Sequence, residues 1–138
     1  MTYKLGIKSL SKLNGVHPDL VKVVKRAIEL SSQDFSVLYG VRTAEEQNSI
    51  YQQGRTKPGK IVTYKDGYSK KSNHQVRGDG LGYAVDLIPY PVDWNDWGKF
   101  ESIDSAIQEA ANELGIVVQW GGNWKMRDGA HWELVGRK

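Results

Sequence analysis

The sequence predicts an α+β fold, a small and mostly antiparallel sheet flanked by about three helices. Two stretches place apolar residues at helical spacing: Leu20, Val24, Ala27 and Ile28, and then Phe100, Ile103, Ile107, Ala110 and Leu114. Four short runs read as strands, Phe35 to Tyr39, Tyr83 to Ile88, Ile116 to Gln119 and His131 to Val135. Their order along the chain (helix, strand, helix, loop, strand, helix, strand, strand) argues for helices laid against an antiparallel sheet.

Residues 1 to 15 are polar and mixed, and are expected to form a loosely held arm. The first helix starts at Pro18, since proline suits the first helical position, and Val23 joins its apolar face. His17, at this junction, is expected to cap or pack rather than to bind a metal. The strand Phe35 to Tyr39 runs into Gly40-Val41-Arg42-Thr43, and Thr43 with Glu46 forms a capping box that opens a second helix. That helix carries Gln47, Ile50 and Tyr51 and stops at Gly54, a natural C-terminal residue. Arg42 thus lies at a strand-to-helix turn, where a scaffold tends to present functional groups. The alternative is a surface arginine paired with Glu45 or Glu46.

Residues 54 to 80 show no helical period, and an unstructured stretch this long is a lid, a binding loop or a disordered segment. It holds seven basic residues (Arg55, Lys57, Lys60, Lys65, Lys70, Lys71, Arg77) against two acids (Asp66, Asp79). The stretch therefore carries +5 in a chain of net charge +3, leaving about −2 for the remainder. Such a loop either attracts an anionic polymer or is simply kept soluble by its lysines. The strand Tyr83 to Ile88 is ended by Pro89 and Pro91, and Trp94 and Trp97 sit in a turn where they are expected to pack. The long helix that follows is closed by Gly115. Trp120 and Trp124 either wall a cleft or belong to the core.

At 138 residues the chain is read as one domain, large enough for a real core. Its hydrophobic content of 39% and charged content of 25% are those of a globular protein. No apolar run approaches membrane-spanning length, and the N-terminus lacks the apolar stretch of a secretory signal. The expectation is a monomer made in the cytoplasm, without stable membrane association and with no separate targeting domain. Absence of Cys excludes disulfides, thiolate ligands and a Cys nucleophile.

The chemistry concentrates at Arg127-Asp-Gly-Ala-His-Trp-Glu-Leu-Val135. On a strand alternate side chains share a face, so His131 and Glu133 look into a cleft while Trp132 and Leu134 enter the core. Asp128 precedes His131 by three residues, across Gly129 and Ala130, which are small enough to let both side chains converge. A carboxylate beside a His suits metal-assisted hydrolysis, one group holding the metal and the other taking a proton from its water. Asp86 stands in an apolar strand, where an acid is out of place unless paired or bound to a cation. His74 lies in a loop with no apolar neighbours to explain it as a core residue. Together His74, Asp86 and His131 make a His-His-Asp set with a fourth position for water, the usual arrangement of a catalytic zinc site. Glu133 can orient the His131 ring by a hydrogen bond.

Ser72-x-His74, Gly82-x-Ala84-x-Asp86 and Asp128-x-x-His131-x-Glu133-Leu134 resemble the zinc DD-peptidase family of D-alanyl-D-alanine carboxypeptidases and dipeptidases. Within it they are most similar to the phage endolysin branch, the L-alanyl-D-glutamate endopeptidases that cut peptidoglycan stem peptides. Asp at position 128, where the D-Ala-D-Ala enzymes carry Glu, favours that branch. One departure stands out: twelve residues separate His74 from Asp86, five more than the family's usual spacing. A Gly-rich insertion between Gln75 and Tyr83 is expected to bulge outward without moving its ends.

The resemblance implies Zn2+ held by His74, Asp86 and His131, Asp128 as the catalytic base, and Arg42 and Ser72 as substrate-binding residues. It implies a lytic enzyme made in the host cytoplasm that acts on the wall after release by another protein. Two other readings compete: a D-Ala-D-Ala carboxypeptidase or dipeptidase with the same site, and a non-catalytic module that binds cell wall or nucleic acid. Nothing in the sequence resembles a nucleic-acid-binding motif, so stem peptides rather than nucleic acid are the expected partner.

Overall fold

A computed structural model describes residues 2–125 and 127–136. It places helices α1 (Ile7–Lys12), α2 (Pro18–Leu30), α3 (Ala44–Tyr51) and α4 (Trp97–Leu114), and strands β1 (Phe35–Tyr39), β2 (Ala84–Pro89), β3 (Val118–Trp120) and β4 (His131–Leu134). A single 3-10 turn, Gly121–Asn123, follows β3. The four strands form one antiparallel sheet in the order β1-β2-β4-β3. The α+β expectation holds, with four α-helices among the described residues where about three were expected. None of those helices is long and apolar enough to cross a membrane.

Local signals explain most boundaries. Pro18 opens α2, and the His17 side chain caps it by accepting from the backbone N–H of Asp19 at 3.1 Å. The capping box of α3 is complete: the Thr43 hydroxyl accepts from the Glu46 N–H and the Glu46 carboxylate accepts from the Thr43 N–H. Helix α3 ends at Tyr51, before the expected Gly54, with Gln52 as its C-cap. Gly115 closes α4 in the left-handed conformation, φ 70°, which glycine adopts without steric cost.

The core lies between the helices and one sheet face. Leu20, Val23, Val24 and Ala27 of α2 meet Ile103, Ile107 and Ala110 of α4, and the fully buried Trp132 of β4 faces the same layer. The Trp132 indole donates to Asp104 of α4 at 3.0 Å, which settles the polar end of a ring buried on that side. Burial of each such aliphatic side chain is worth about 1.5–3 kcal/mol. The strand alternation then sends Asp86, His131 and Glu133 to the opposite face.

The expected loose arm, residues 1 to 15, needs correction. It contains α1, which packs on β1, and Leu13 enters the core. The buried Ser9 hydroxyl accepts from the Val37 N–H at 3.0 Å. Gly40 permits the close approach, because a Cβ there would stand 1.9 Å from the carbonyl oxygen of Lys12. Propensity did not announce this contact, since α1 is only six residues long and forms by docking rather than alone.

Ser9→Ala removes the acceptor from a buried backbone N–H, and the expected cost is about 1–3 kcal/mol. Urea unfolding measures it. A change within about 0.5 kcal/mol, the range of ordinary surface substitutions, would restore the loose-arm description.

Candidate metal centre and active site

The register of β2 and β4 builds the centre. Asp86 pairs across the ladder with His131 on one side and with Tyr39 on the other. Residues directly opposite in an antiparallel pair lie side by side on the same face, so the Asp86 carboxylate and the His131 ring must meet. His74 reaches them from the loop before β2. Its backbone carbonyl accepts from the Arg42 N–H at 2.9 Å, and Asn73 O accepts from the Tyr83 N–H at 2.9 Å. The insertion leaves His74 and Asp86 side by side: Arg77 and Leu81 close a turn by the Arg77 N–H to Leu81 O bond, 3.0 Å, while Gly82 bonds Gly15.

The three ligand atoms lie close together. His74 Nε2 is 3.1 Å from Asp86 Oδ1 and 3.2 Å from His131 Nδ1. His131 Nδ1 is 3.4 Å from Asp86 Oδ1. A tetrahedral zinc ion with bonds of about 2.0–2.1 Å sets its ligand atoms about 3.3–3.4 Å apart, so the set fits such an ion. All three residues are buried and together can hold a metal.

The outer nitrogens fix the tautomers. His74 Nδ1 is 2.8 Å from Gly40 O, and a carbonyl only accepts, so Nδ1 carries the hydrogen and the Nε2 lone pair points inward. His131 Nε2 is 2.7 Å from Glu133 Oε1, which leaves Nδ1 to face the centre. Second partners of this kind orient a ligating ring and raise its basicity. Glu133 thus contacts His131 as its place on the strand suggested, and it also accepts from the Asn73 side-chain amide at 2.8 Å.

Arg42 stands inside the centre and not on Glu45 or Glu46. Its Nη2 is 2.6 Å from Asp86 Oδ2, its Nη1 donates to Gln47 Oε1 at 3.1 Å, and its guanidinium lies 4.5 Å from the Tyr39 ring centroid. The Arg42 Nε is buried without a partner. The Ser72 hydroxyl accepts from the His74 N–H at 3.2 Å, so this residue shapes the loop that carries His74.

Asp128 is half-buried beside the three ligands. Burial first, then the negative charge of Asp86, push its carboxyl above the ordinary range, against the opposing pull of His131. Such an environment suits a group that can both accept and donate a proton. Gly121 lets the segment fold back, since a Cβ there would stand 2.6 Å from Asp128 O. Burial raises Asp86 as its largest single influence, yet His74, His131 and Arg42 together hold it far below the usual carboxylate range.

The two tryptophans divide the readings left open for them. Trp124 packs on the His131 ring at 4.9 Å and borders the site, whereas Trp120 is buried against Trp132 and donates to Gly129 O at 2.8 Å. Trp97 packs on Phe100 and Trp120, and Trp94 on Phe100, as expected of that turn. The basic loop is tied down rather than free: Gln47 Nε2 donates to Lys65 O at 2.8 Å, Asn48 to Asp66 O at 2.9 Å and Gln75 to Gly67 O at 2.9 Å. Gln47 reads in the sequence only as a residue of α3, and Asn73 carries no role there. Gln47 is only 1% exposed, but burial of a helical Gln has no periodic signal. Asn73 hides between Ser72 and His74.

A buried two-histidine, one-aspartate set beside a carboxyl of raised proton affinity places the chain in the class of metal-dependent hydrolases. Comparison with known proteins narrows this. The family model of the phage L-alanyl-D-glutamate peptidases matches residues 1–136. The chain belongs to that family, in the phage endolysin branch of the zinc DD-peptidase-like proteins. It is 34% identical to the L-alanyl-D-glutamate peptidase of Escherichia phage T5, over 98% of this chain and 100% of that one. It is 30% identical to the peptidoglycan L-alanyl-D-glutamate endopeptidase CwlK of Bacillus subtilis, over 91% of this chain and 75% of CwlK. The crystal structure of the Serratia marcescens L-Ala D-Glu endopeptidase ChiX superposes with a TM-score of 0.74 at 34% identity, covering 94% of this chain and 87% of that one.

The His131 proton supplies a test of the centre. Burial opposes the imidazolium, but hydrogen bonds and charges from Asp86 and Glu133 outweigh it and push His131 up from 6.5 to about 9. The folded value is raised, so in the metal-free protein this contribution to stability is complete below about pH 6.5 and lost as pH climbs through about 9. A metal must displace the same proton. The zinc dissociation constant, measured by competition with a chromophoric chelator, is therefore expected to fall about tenfold per pH unit between about pH 6 and 8. A constant independent of pH over that range would rule out a histidine-ligated metal.

Proposed function

We propose that this chain is a zinc-dependent endopeptidase that hydrolyses the L-Ala–D-Glu bond of peptidoglycan stem peptides. The observation that carries the reading is the convergence of three buried ligand atoms 3.1–3.4 Å apart, with fixed ring tautomers, beside Asp128. Family membership supplies the substrate class. In this reading the protein is made in the host cytoplasm and reaches the wall after release by another protein.

His74, Asp86 and His131 would hold the ion, and a bound zinc supplies a Lewis acid and lowers the pKa of its water. Asp128 takes a proton from the attacking water as its oxygen bonds to the carbonyl carbon of L-Ala. The same carboxyl then delivers that proton to the nitrogen of D-Glu as the C–N bond breaks. Its raised proton affinity suits both halves of this exchange. Arg42 offers a fixed fork of donors to a developing oxyanion or a stem-peptide carboxylate, once part of its hold on Asp86 is shared. Ser72 completes the substrate-facing rim.

Asp128→Asn keeps the shape of the side chain and removes the base. The expected fall in kcat on purified peptidoglycan is about 10²–10⁴-fold, with zinc binding retained. Chelator is expected to abolish the wild-type reaction and added zinc to restore it. Mass spectrometry of the digest should find new L-Ala carboxyl and D-Glu amino ends. Loss of terminal D-Ala alone would make the protein a carboxypeptidase. No cleavage by a folded, zinc-loaded protein would refute the enzymatic reading altogether.

A further inference from the structure

The geometry points to a hydrogen-bonded relay, Arg77–Asn73–Glu133–His131, through which the long loop between His74 and Asp86 sets the metal affinity of the centre. Arg77 and Asn73 are its positioning residues. The inference rests on the metal-centre reading above and adds Arg77 and Asn73, to which that reading assigns no part.

Each link is directional. His131 Nε2–H donates to Glu133 Oε1 at 2.7 Å. The Asn73 side-chain NH2 donates to the other carboxylate oxygen, Glu133 Oε2, at 2.8 Å. Arg77 Nη2 donates to Asn73 Oδ1 at 3.1 Å. An amide has one accepting and one donating end, and here both ends are spoken for. Were the Asn73 amide turned over, its oxygen would face a carboxylate and its NH2 a guanidinium, two repulsive contacts. Arg77 therefore locks the orientation in which Asn73 can hold Glu133, and Glu133 in turn holds the ring and polarises it toward the metal side.

The loop is built to aim Arg77. Backbone bonds from Arg77 N–H to Leu81 O, 3.0 Å, and from Gly80 N–H to Arg77 O, 2.9 Å, close a tight turn in which Gly80 has φ 80°. The guanidinium lies 3.8 Å from the ring centroid of the buried Tyr83, whose hydroxyl donates to Asp79 on the far side of the same turn. Tyr83 also meets the ring of His17, the cap of α2, at 5.1 Å. Thus the inserted turn is anchored on the core and hands a cation back toward the centre. A loop that merely bulged into solvent would need neither the aromatic seat nor the return contact to Asn73.

Zinc affinity of the full chain, read by competition with a chromophoric chelator, tests the relay without reference to catalysis. Asn73→Ala is expected to weaken zinc binding about 10-fold or more, as loss of an outer partner of a metal-bound histidine does. Arg77→Ala, one link further out, is expected to weaken it about 3–10-fold, while Arg77→Lys, which keeps a donor and the charge, recovers most of it. In the double variant Arg77→Ala should add nothing to Asn73→Ala, because both act through one path. Lys8→Ala, which removes the same charge from α1, should leave the affinity unchanged. Additive losses, or an Arg77→Ala affinity equal to wild type with the fold intact by circular dichroism, would overturn the relay while leaving the zinc site standing. Failure of the wild type itself to bind zinc would overturn both readings.

Discussion

The Asp86–His131 pairing across β2 and β4 is the constraint on which the rest depends. It places a carboxylate and an imidazole side by side in a layer where neither would stay charged alone. Everything nearby compensates for that placement. Arg42 answers one carboxylate oxygen, the histidines answer the other, and Glu133 takes the outward hydrogen of His131. The sheet contributes rigidity, since β2 is buried along its whole length and paired on both edges. A site built on paired central strands holds its geometry more closely than one built on loops.

The two faces of the sheet divide the labour. Helices α2 and α4 cover one face with aliphatic side chains and the Trp132–Trp120 stack, and stability comes chiefly from there. The other face is polar and is closed by chain segments with little regular structure. These segments are not loose. Gln47 ties the basic loop to the Arg42 guanidinium, Gly40 O holds His74, and Asn73 holds Glu133. Each anchor satisfies a buried polar group and positions a side chain of the centre at the same time, so structural and functional requirements fall on the same bonds.

The basic residues at 54–80 belong to this polar half. Lys65 lends its charge to keep the Glu133 carboxylate ionised, together with the stronger effects of His131 and Asn73, all acting against burial. Exposed Tyr64 and Tyr68 and the lysines around them face water on a backbone that α3 holds in place.

Much of this was legible in the sequence. Helical and two-residue periodicities located α2, α4, β1, β2 and β4, because binary patterning follows directly from which face is buried. The capping box of α3, Pro18 and Gly115 marked boundaries through local backbone chemistry that needs no tertiary partner. The acid in an apolar strand and the His–Glu alternation of β4 pointed to Asp86, His131 and Glu133, and a loop without apolar neighbours pointed to His74. Tertiary structure alone decided what no local pattern encodes. Helix α1 exists because it packs on β1, with Ser9 bonded to Val37 and Leu13 in the core, and Arg42 meets Asp86 rather than Glu45 or Glu46 because the turn after β1, tied to His74 O through the Arg42 N–H, carries it to β2. Gln47, Asn73 and Arg77 gain their partners across 18, 60 and 4 residues of chain. Periodicity reports which side of an element is buried; it carries no information on which polar group waits there, and that is set only when the elements pack.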